Sequence, residues 1–220
     1  MSSNKPKIVV FISGKGSNLQ RLIAQQKEYE VLSVFSNRRR ALGLGFAKEA
    51  GIPFYVFDKR DYQDEPQQFQ AIFERLKVLA PDLICLAGFS QIIPKQIIDQ
   101  FWGKIVNLHP SLLPRLKGFF GAATHQAAID QNEKEHGCTV HFVDQGVDTG
   151  PIIAQAKFLI SPNMSVSDLQ NNVHDLEHRL LPWVINNLCA KRIILKDAVV
   201  QFDPSTRQAA ASNNFILPLE

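Results

Sequence analysis

The sequence predicts an α/β fold with a mainly parallel open sheet, helices on both faces and an antiparallel addition in the C-terminal half. Two observations support this prediction. In the first half, short apolar runs alternate with longer amphipathic stretches, which is the rhythm of β-α-β units. Their right-handed crossovers produce a parallel sheet covered by helices. In the second half, two longer apolar runs are joined by a glycine-bearing segment and followed by a long amphipathic stretch.

The first half contains five apolar runs with the length of strands. We expect these strands at Lys7–Ser13, Glu30–Asn37, Pro53–Phe57, Leu83–Ala87 and Lys104–His109. The amphipathic stretches between them predict helices at Asn18–Gln26, Ala41–Ala50, Glu65–Leu79 and Pro94–Phe101.

The second half has a different pattern. Gly137–Val143 and Ile152–Ile160 are typical of longer strands, and Asp144–Pro151 joins them. A long helix is expected over Val166–Leu188, because apolar residues recur there every three or four positions and form one buried stripe. The members of this stripe are Val173, Leu176, Leu180, Val184 and Leu188.

The chain of 220 residues is expected to be a single domain, residues 1–220, with its core over about residues 7–190. Lys196–Phe202 could add a small strand, and the polar stretch Asp203–Asn214 is expected to be frayed. We find neither an internal repeat nor a linker.

Composition argues against several classes of partner. The net charge of +3 is small and dispersed, which does not favour a nucleic-acid surface, and the run Arg38–Arg40 is interpreted as a solvated turn. The three cysteines are odd in number and widely spaced, without the paired spacing of a metal or redox site. We therefore expect reduced thiols, as in a cytosolic protein. The start of the chain is polar, and no apolar run approaches the roughly 20 residues of a membrane span. We expect a cytoplasmic protein that binds neither nucleic acid nor membrane.

The first candidate site follows the first predicted strand, in the loop Ser13–Asn18. Its glycines allow a tight turn, and the start of the next helix adds partial positive charge, so the loop could hold a small phosphate. A plain turn is equally compatible, with Ser17 or Asn18 capping the helix. The spacing matches neither the dinucleotide fingerprint nor the P-loop.

The second candidate site is the end of the strand before Pro110. The two-residue period of a strand places Asn107 and His109 on one face, with Val106 and Leu108 on the other. Two polar side chains on one face of a buried strand are unexpected, since burying each without a partner costs about 1–3 kcal/mol. They are candidates for chemistry.

Two further strand ends carry unusual residues. Asp144 and Asp148 lie between the two long strands; Asp144 is interpreted first as a turn residue, and Asp148, set between glycines, as a positioned base. The segment Leu83–Ile93 passes through small residues into apolar ones. That composition suits a flat aromatic ligand, and packing between sheet and helix explains it almost as well.

Together these segments resemble a known family. The runs SGKGSN, LAGF, NLHPSLLP, EHGCTVHFVD and VDTGPII are similar to those of the glycinamide ribonucleotide formyltransferases of purine synthesis, over roughly residues 7 to 190. The resemblance implies the Rossmann-like formyltransferase fold, 10-formyltetrahydrofolate as donor and glycinamide ribonucleotide as acceptor, with no metal. It further implies small-molecule partners and a monomer or homodimer.

Two of these runs, NLHPSLLP and VDTGPII, are shared with formyltetrahydrofolate deformylases and methionyl-tRNA formyltransferases. The SGKGSN loop separates the groups, since it holds the substrate phosphate in the glycinamide ribonucleotide enzymes. Deformylases carry an extra N-terminal regulatory domain, whereas the first strand here is expected from Lys7. The transfer-RNA enzymes carry a C-terminal domain, for which we expect no room after Lys196.

By position, the resemblance implies roles for individual residues. The implied catalytic residues are Asn107, His109 and Asp148, and His141 supports them; the implied phosphate-binding residues are Gly16, Ser17 and Asn18; Glu177 binds the substrate; and Leu86, Ile92, Asp144 and Val147 bind folate. For Glu177 the alternative is a solvated helix charge. For His141 it is a core histidine with a satisfied ring.

Two departures from the family affect the donor site. Relatives often have Met-Arg where this chain has Ser90-Gln91, which bears on how the pterin or its glutamate tail is held. The stretch Arg115–His125 is longer than in some relatives, so its local geometry is not predicted.

The implied mechanism uses Asn107 and a protonated His109 as donors to the oxyanion that forms on the formyl oxygen. Asp148 is expected to raise the pKa of His109 and to accept the proton of the amine, directly or through water. Two alternatives remain open. One is a hydrolase that releases formate from the same donor, and the other is a non-catalytic sensor of nucleotide or folate.

Overall fold

The computed structural model describes residues 5–218 of the chain. The chain divides into two compact units, one ending at Val106 and one beginning at Asn107. The strands are β1 (Lys7–Ile12), β2 (Glu30–Ser36), β3 (Phe54–Val56), β4 (Leu83–Leu86), β5 (Ile105–His109), β6 (Glu135–Phe142), β7 (Ile152–Leu159), β8 (Ile193–Lys196) and β9 (Val199–Phe202). The helices are α1 (Ser17–Ala24), α2 (Gly43–Glu49), α3 (Glu65–Leu79), α4 (Lys95–Gln100), α5 (Ala122–Asp130), α6 (Val166–Cys189) and α7 (Pro204–Ser212).

The first seven strands form one mixed sheet in the order β3-β2-β1-β4-β5-β6-β7. The pairs β1–β2, β1–β4 and β2–β3 are parallel, whereas β6 and β7 are antiparallel. The predicted α/β class, mainly parallel with an antiparallel addition in the C-terminal half, is confirmed.

In the N-terminal unit, β1 lies between β2 and β4, and every residue of Ile8–Ile12 is buried. Such a strand, buried on both faces, reads as a continuous apolar run. Helix α3 has the predicted bounds because both ends are marked chemically. The Asp64 side chain accepts a hydrogen bond from the Gln67 amide at 2.8 Å, and Ala80 ends the helix in the left-handed conformation.

In the C-terminal unit, β6 and β7 pair over most of their length, and α6 packs against both. A capping box between Ser165 and Asp168 begins α6 at the predicted residue. Gly137 is required where the two strands pair, since a β-carbon there would collide with the Ala156 carbonyl.

The last part of the chain differs from its prediction. The expected strand Lys196–Phe202 is a hairpin of β8 and β9, turned at Asp197 and Ala198 with positive φ angles. The stretch expected to be frayed contains α7, which begins after Asp203 because that side chain accepts a hydrogen bond from the Thr206 amide at 2.6 Å. Helix α5 and a 3-10 turn at Lys59–Asp61 were not predicted.

Within residues 5–218, no helix is both long and apolar enough to cross a bilayer. The assignment of residues 1–220 to a single domain stays a prediction.

Candidate active site

The two polar side chains predicted at the end of β5 are held by the turn that follows. Thr139 on β6 accepts a hydrogen bond from the Leu113 amide at 3.1 Å and donates one to the Ser111 carbonyl at 2.6 Å. The Gln155 amide group donates to the Leu113 carbonyl at 2.9 Å. These bonds fix the chain just after His109, which is buried, while Asn107 is partly exposed.

Asp148 lies against both of these side chains and against His141. Its Oδ2 atom is 3.2 Å from His109 Nδ1 and accepts a hydrogen bond from the Gly118 amide at 2.9 Å. Its Oδ1 atom is 3.5 Å from Asn107 Nδ2 and 3.6 Å from His141 Nε2. The four residues with implied catalytic or supporting roles therefore form one cluster within the C-terminal unit.

The backbone around Asp148 is built for this placement. Asp148 itself has φ 52°, in the left-handed region that Asp tolerates better than most residues. A β-carbon at Gly146 would collide with the Thr149 hydroxyl, and one at Gly150 with the Phe142 carbonyl. Asp144 accepts hydrogen bonds from the Gly146 amide at 3.1 Å and the Thr149 hydroxyl at 2.7 Å, so it shapes the turn that presents Asp148.

The Asp148 carboxyl is ionised near neutral pH. Burial raises its pKa, but hydrogen bonds from His141 and the Gly118 amide, with the charges of the two histidines, outweigh burial. The net pKa lies below the ordinary value for aspartate. The cluster thus contains a fixed negative charge, only 13% exposed, against two imidazole rings.

Burial lowers the pKa of His109, and this effect exceeds the raising effects of Asp148 and of the hydrogen bond to the Leu116 carbonyl, so the net pKa lies below the ordinary value for histidine. The expected effect of Asp148, which is to raise the pKa of His109, is thus present but is outweighed by burial. Yet both ring nitrogens face oxygen acceptors, Asp148 Oδ2 and the Leu116 carbonyl at 3.1 Å. Only a protonated ring donates to both. Asp148 therefore opposes the effect of burial and stabilises the protonated form of His109.

The His141 ring is held from both of its nitrogen atoms. Its Nδ1 donates to the Phe142 carbonyl at 2.8 Å, and its Nε2 lies 3.1 Å from Asn107 Nδ2 and 3.6 Å from Asp148 Oδ1. The ring is thus satisfied and buried, as the core-histidine alternative requires, yet it also contacts Asn107 and Asp148. It orients the Asn107 amide toward the cluster.

The remaining predicted residues of the C-terminal unit are placed differently. Glu177 lies on α6 with 5% exposure, which excludes the solvated alternative. Burial raises the pKa of the Cys138 thiol, and the Glu177 carboxylate raises it further. Val147 is exposed and Asp144 is partly exposed on the turn before Asp148. Among residues 5–218, no group of three or more His, Cys, Asp and Glu side chains is arranged to hold a metal ion.

In the N-terminal unit, the loop before α1 is shaped by two glycines. Gly16 is the N-cap of α1 with φ 77°, and no side chain caps the helix, so the alternative in which Ser17 or Asn18 caps it is wrong. Gly43, the first residue of α2, donates its amide to the Gly14 carbonyl at 3.1 Å. A β-carbon on Gly16 would collide with the Gly43 α-carbon, so the loop depends on both glycines.

The departure Ser90-Gln91 is tied into a polar network at the end of β4. The Ser13 hydroxyl donates to Asn37 Oδ1 at 2.6 Å and accepts from the Ser90 amide at 2.8 Å. The Asn37 amide group donates to Gln91 Oε1 at 2.8 Å, and Gln91 donates to Gln68 Oε1 at 2.9 Å. Gln91 is therefore held by internal partners. Of the two predicted folate contacts in this unit, Leu86 is buried and Ile92 is 68% exposed.

Sequence reasoning missed the backbone partners of this site. The Gly118 amide and the Leu116 carbonyl contact Asp148 and His109, and both lie in the stretch whose geometry was not predicted. Positive φ angles at both residues are the local feature that aims these groups. Because Gly118 is a glycine in a loop, its residue type weakly indicates a positive φ angle. The residue type of Leu116 gives no such indication.

Comparison with known proteins shows the family of this chain. Residues 6–185 match the formyl transferase family. The phosphoribosylglycinamide formyltransferase of Haemophilus influenzae is 39% identical over 201 residues, which cover 90% of this chain and 93% of that protein. The trifunctional purine biosynthetic protein adenosine-3 of Drosophila melanogaster is 40% identical over 188 residues, 83% of this chain but 14% of that longer protein.

Solved structures give the same result. The crystal structure of glycinamide ribonucleotide transformylase 1 from Symbiobacterium toebii has a TM-score of 0.85 and 34% sequence identity, covering 91% of this chain and 95% of that one. Both the family match and the relatives extend over most of the chain. The chain therefore belongs to the formyl transferase family.

Proposed function

We propose that this chain transfers the formyl group of 10-formyltetrahydrofolate to the amine of glycinamide ribonucleotide, giving N-formylglycinamide ribonucleotide and tetrahydrofolate in purine synthesis. The observation that carries the proposal is the cluster of Asn107, His109, His141 and Asp148, in which an ionised carboxylate lies against a buried imidazole. The names of the similar proteins support the choice of acceptor.

In the proposed reaction, the acceptor amine attacks the formyl carbon and negative charge develops on the formyl oxygen. Asn107 and His109 donate hydrogen bonds to that oxygen, and one such donor is commonly worth about 10²–10³ in rate. His109 Nε2, which here donates to the Leu116 carbonyl, is the donor that we assign to the oxygen. The C–N bond to the donor then breaks, and the proton that the amine loses is passed on through Asp148 and water to the leaving tetrahydrofolate nitrogen, so that both products are neutral at the reacting nitrogen atoms.

Asp148 is assigned mainly to holding the charge on His109. A carboxylate with a lowered pKa is a weak base, because general bases act best with pKa values near the working pH. We infer that the amine proton reaches Asp148 through water and that His141 keeps Asn107 oriented.

Binding of the acceptor is assigned to two further groups. The loop of Gly16, Ser17 and Asn18 holds the phosphate with backbone amides at the start of α1, where the helix dipole favours an anion. Glu177 is assigned to the remainder of the acceptor. For the donor we assign Leu86, Ile92, Asp144 and Val147.

The setting completes the proposal. We propose a cytoplasmic enzyme, a monomer or homodimer, that acts on small molecules and uses no metal. Among residues 5–218, no cysteine takes part in a disulfide, which is compatible with a reducing compartment.

One assay tests the proposed reaction. The purified protein is mixed with 10-formyltetrahydrofolate, with and without glycinamide ribonucleotide, and the loss of the donor is followed. We expect loss only when the acceptor is present. Equal loss without the acceptor would instead support the formate-releasing hydrolase, and no loss in either case the sensor.

A further inference from the structure

The turn that follows His109 is attached to β7 through one glutamine. Gln155 on β7 is the direct partner of Thr139 on β6, so the two side chains lie on the same face of the sheet. Gln155 Nε2 donates one hydrogen bond to Thr139 Oγ1 at 2.8 Å and another to the Leu113 carbonyl at 2.9 Å. An amide nitrogen carries two hydrogen atoms, so both are used to hold this turn.

Thr139 joins Gln155 to the rest of the turn. Its hydroxyl donates to the Ser111 carbonyl at 2.6 Å and accepts from the Leu113 amide at 3.1 Å as well as from Gln155. A hydroxyl has one hydrogen and two lone pairs, so its whole capacity is used. Thr139 is completely buried, and buried polar groups depend on protein partners because water does not reach them. Loss of the Gln155 donors would remove a partner from two acceptors at once and allow the turn to shift.

The backbone of Gln155 is held by a segment near the end of the chain. Among the described residues, β7 is the last strand in the order of the seven-stranded sheet, and backbone groups at such an edge have no further strand to pair with. Ile216 pairs with this edge at Gln155: the amide of each residue donates to the carbonyl of the other, both at 2.8 Å. We call these two hydrogen bonds the tail bridge. They fix the backbone of the residue whose side chain holds the turn.

Contacts with α6 fix the position of Ile216. The preceding residue, Phe215, is 6% exposed, and its ring packs against Trp183 with 5.2 Å between the ring centroids. Arg179 donates to the Asn213 carbonyl at 3.2 Å, and its guanidinium lies 5.8 Å from the centre of the Phe215 ring. The segment that forms the tail bridge is therefore packed against α6 within the C-terminal unit.

We propose that Gln155 is a positioning residue for the transfer of the formyl group and that the tail bridge holds it in place. The inference rests on the proposed function for the role of His109. Gln155 acts on His109 through the turn Ser111–Leu113. Each ring nitrogen of His109 lies within 3.2 Å of an oxygen atom, Asp148 Oδ2 or the Leu116 carbonyl, so a small shift of the turn changes both contacts.

A positioning role differs from a purely structural one in the kinetic constant that changes. A displacement of about 1 Å in a catalytic group costs up to about 10²-fold in rate. Because the contact that is lost forms fully only in the transition state, kcat falls and KM stays nearly constant. A residue that only stabilises the fold changes the free energy of unfolding and leaves kcat of the folded protein unaltered.

The first test compares Gln155→Glu and Gln155→Leu with Lys157→Met. Glutamate keeps the shape of the side chain but, when ionised, donates no hydrogen bond, and leucine removes the polar group. We expect kcat to fall about tenfold in both variants, with both KM values within about twofold of the wild type. Lys157, an exposed residue further along β7, is the matched control and should leave kcat and KM unchanged. A wild-type kcat in Gln155→Glu, or a rise in KM alone, would overturn the proposal.

The second test addresses the tail bridge and leaves every side chain of the turn in place, so it also decides the matter if the Gln155 variants fail to fold. Ile216→Pro removes the amide that donates to the Gln155 carbonyl. Leu217→Pro is the matched control, because within residues 5–218 the Leu217 amide makes no backbone hydrogen bond. We expect kcat to fall about threefold or more in Ile216→Pro, through a smaller shift of the same turn, and to stay at the wild-type value in Leu217→Pro. An unchanged kcat in Ile216→Pro, or equal losses in the two variants, would show that the tail bridge does not hold Gln155.

A third measurement needs no turnover and separates this inference from the proposed reaction. In protein with isotope-labelled histidine, the NMR signals of the His109 ring nitrogens report their contacts with Asp148 and the Leu116 carbonyl. We expect these signals to move in Gln155→Glu and Ile216→Pro and to keep their wild-type positions in the two controls. Unchanged signals in Gln155→Glu would overturn the inference. Signals that move, in a protein whose wild type transfers no formyl group, would contradict the proposed function alone.

Discussion

The Asp148 carboxylate lies 3.2 Å from His109 Nδ1, and the Leu116 carbonyl accepts from the other nitrogen of the same ring at 3.1 Å. Burial disfavours the imidazolium, whereas both contacts favour it. The charge of this ring is thus set by a balance between desolvation and two oxygen atoms. Removing either oxygen acceptor should lower the pKa of His109.

Asp148→Asn should lower the pKa of His109 further, because it removes the negative charge that raises it. We also expect the rate of transfer to fall about 10²–10⁴-fold, the usual contribution of an acid–base group. The pKa can be followed by NMR titration of the ring and the rate by steady-state kinetics.

Asp130→Asn, an exposed change at the end of α5, is the matched control and should alter neither quantity. An Asp148→Asn protein that keeps more than about a tenth of the rate, or an unchanged His109 pKa, would contradict the assigned role.

The free energy of unfolding should decrease as the pH is lowered, because of two buried histidines in the C-terminal unit, His125 and His136. His125 Nδ1 lies 2.9 Å from His136 Nε2, and burial lowers the pKa of each to about 4. In the unfolded chain both titrate near 6.5. Below that pH the unfolded state binds more protons, so stability is complete above about pH 6.5 and is lost as pH falls toward 4.

The size of this loss can be measured by urea unfolding. We expect about 4 kcal/mol less stability at pH 5 than at pH 7, about 2 kcal/mol from each ring. In a His125→Gln/His136→Gln variant this pH dependence should become much smaller. A wild-type free energy of unfolding that is unchanged over this range would show that the pair titrates normally.

The fold was largely predictable because its signals are local. The β-α-β order follows from apolar runs, and α3 and α6 begin where Asp64 and Ser165 cap them. Helix α7 was missed because its polar, alanine-rich composition resembles a frayed end, although Asp203 followed by proline is a helix-start signal.

The site was predictable only in its side chains. Asn107 and His109 share a strand face by periodicity, and Asp148 stands out between glycines. In contrast, the net pKa of His109 depends on burial, and its partner at Leu116 is a backbone carbonyl that no residue type reveals. The contact between Gly16 and Gly43 is non-local and involves no side chain, so neither periodicity nor composition predicts it.

Gly43→Ala should weaken binding of the phosphorylated acceptor more than binding of the donor. The added β-carbon would lie 2.7 Å from Ile12 Cδ1 and 2.8 Å from the Gly16 α-carbon, so the loop before α1 must shift. Steady-state KM values for the two substrates measure the effect. We expect at least about a tenfold rise for the acceptor, since one misplaced charge-assisted hydrogen bond costs about 1.5–3 kcal/mol.

Gly45→Ala in the same helix is the matched control, because nothing lies within 4 Å of its added β-carbon. It should leave both KM values unchanged. Equal rises of both KM values in Gly43→Ala would indicate general disruption and remove the case for a phosphate site in this loop.

Asn107→Ala and His109→Ala should each lower kcat strongly and change donor binding little, if both side chains stabilise one oxyanion that forms only in the transition state. The double variant should then lose much less than the product of the two single losses, because groups that act on one charge are not additive.

Both side chains also contact Asp148, which could couple them without any shared oxyanion. Repeating the cycle in the Asp148→Asn background separates the two causes. Coupling through Asp148 would disappear there, whereas coupling through the oxyanion would persist in the residual activity. Independent losses, or losses confined to donor binding, would mean that the shared face of β5 serves only as a hydrogen-bonded strand end.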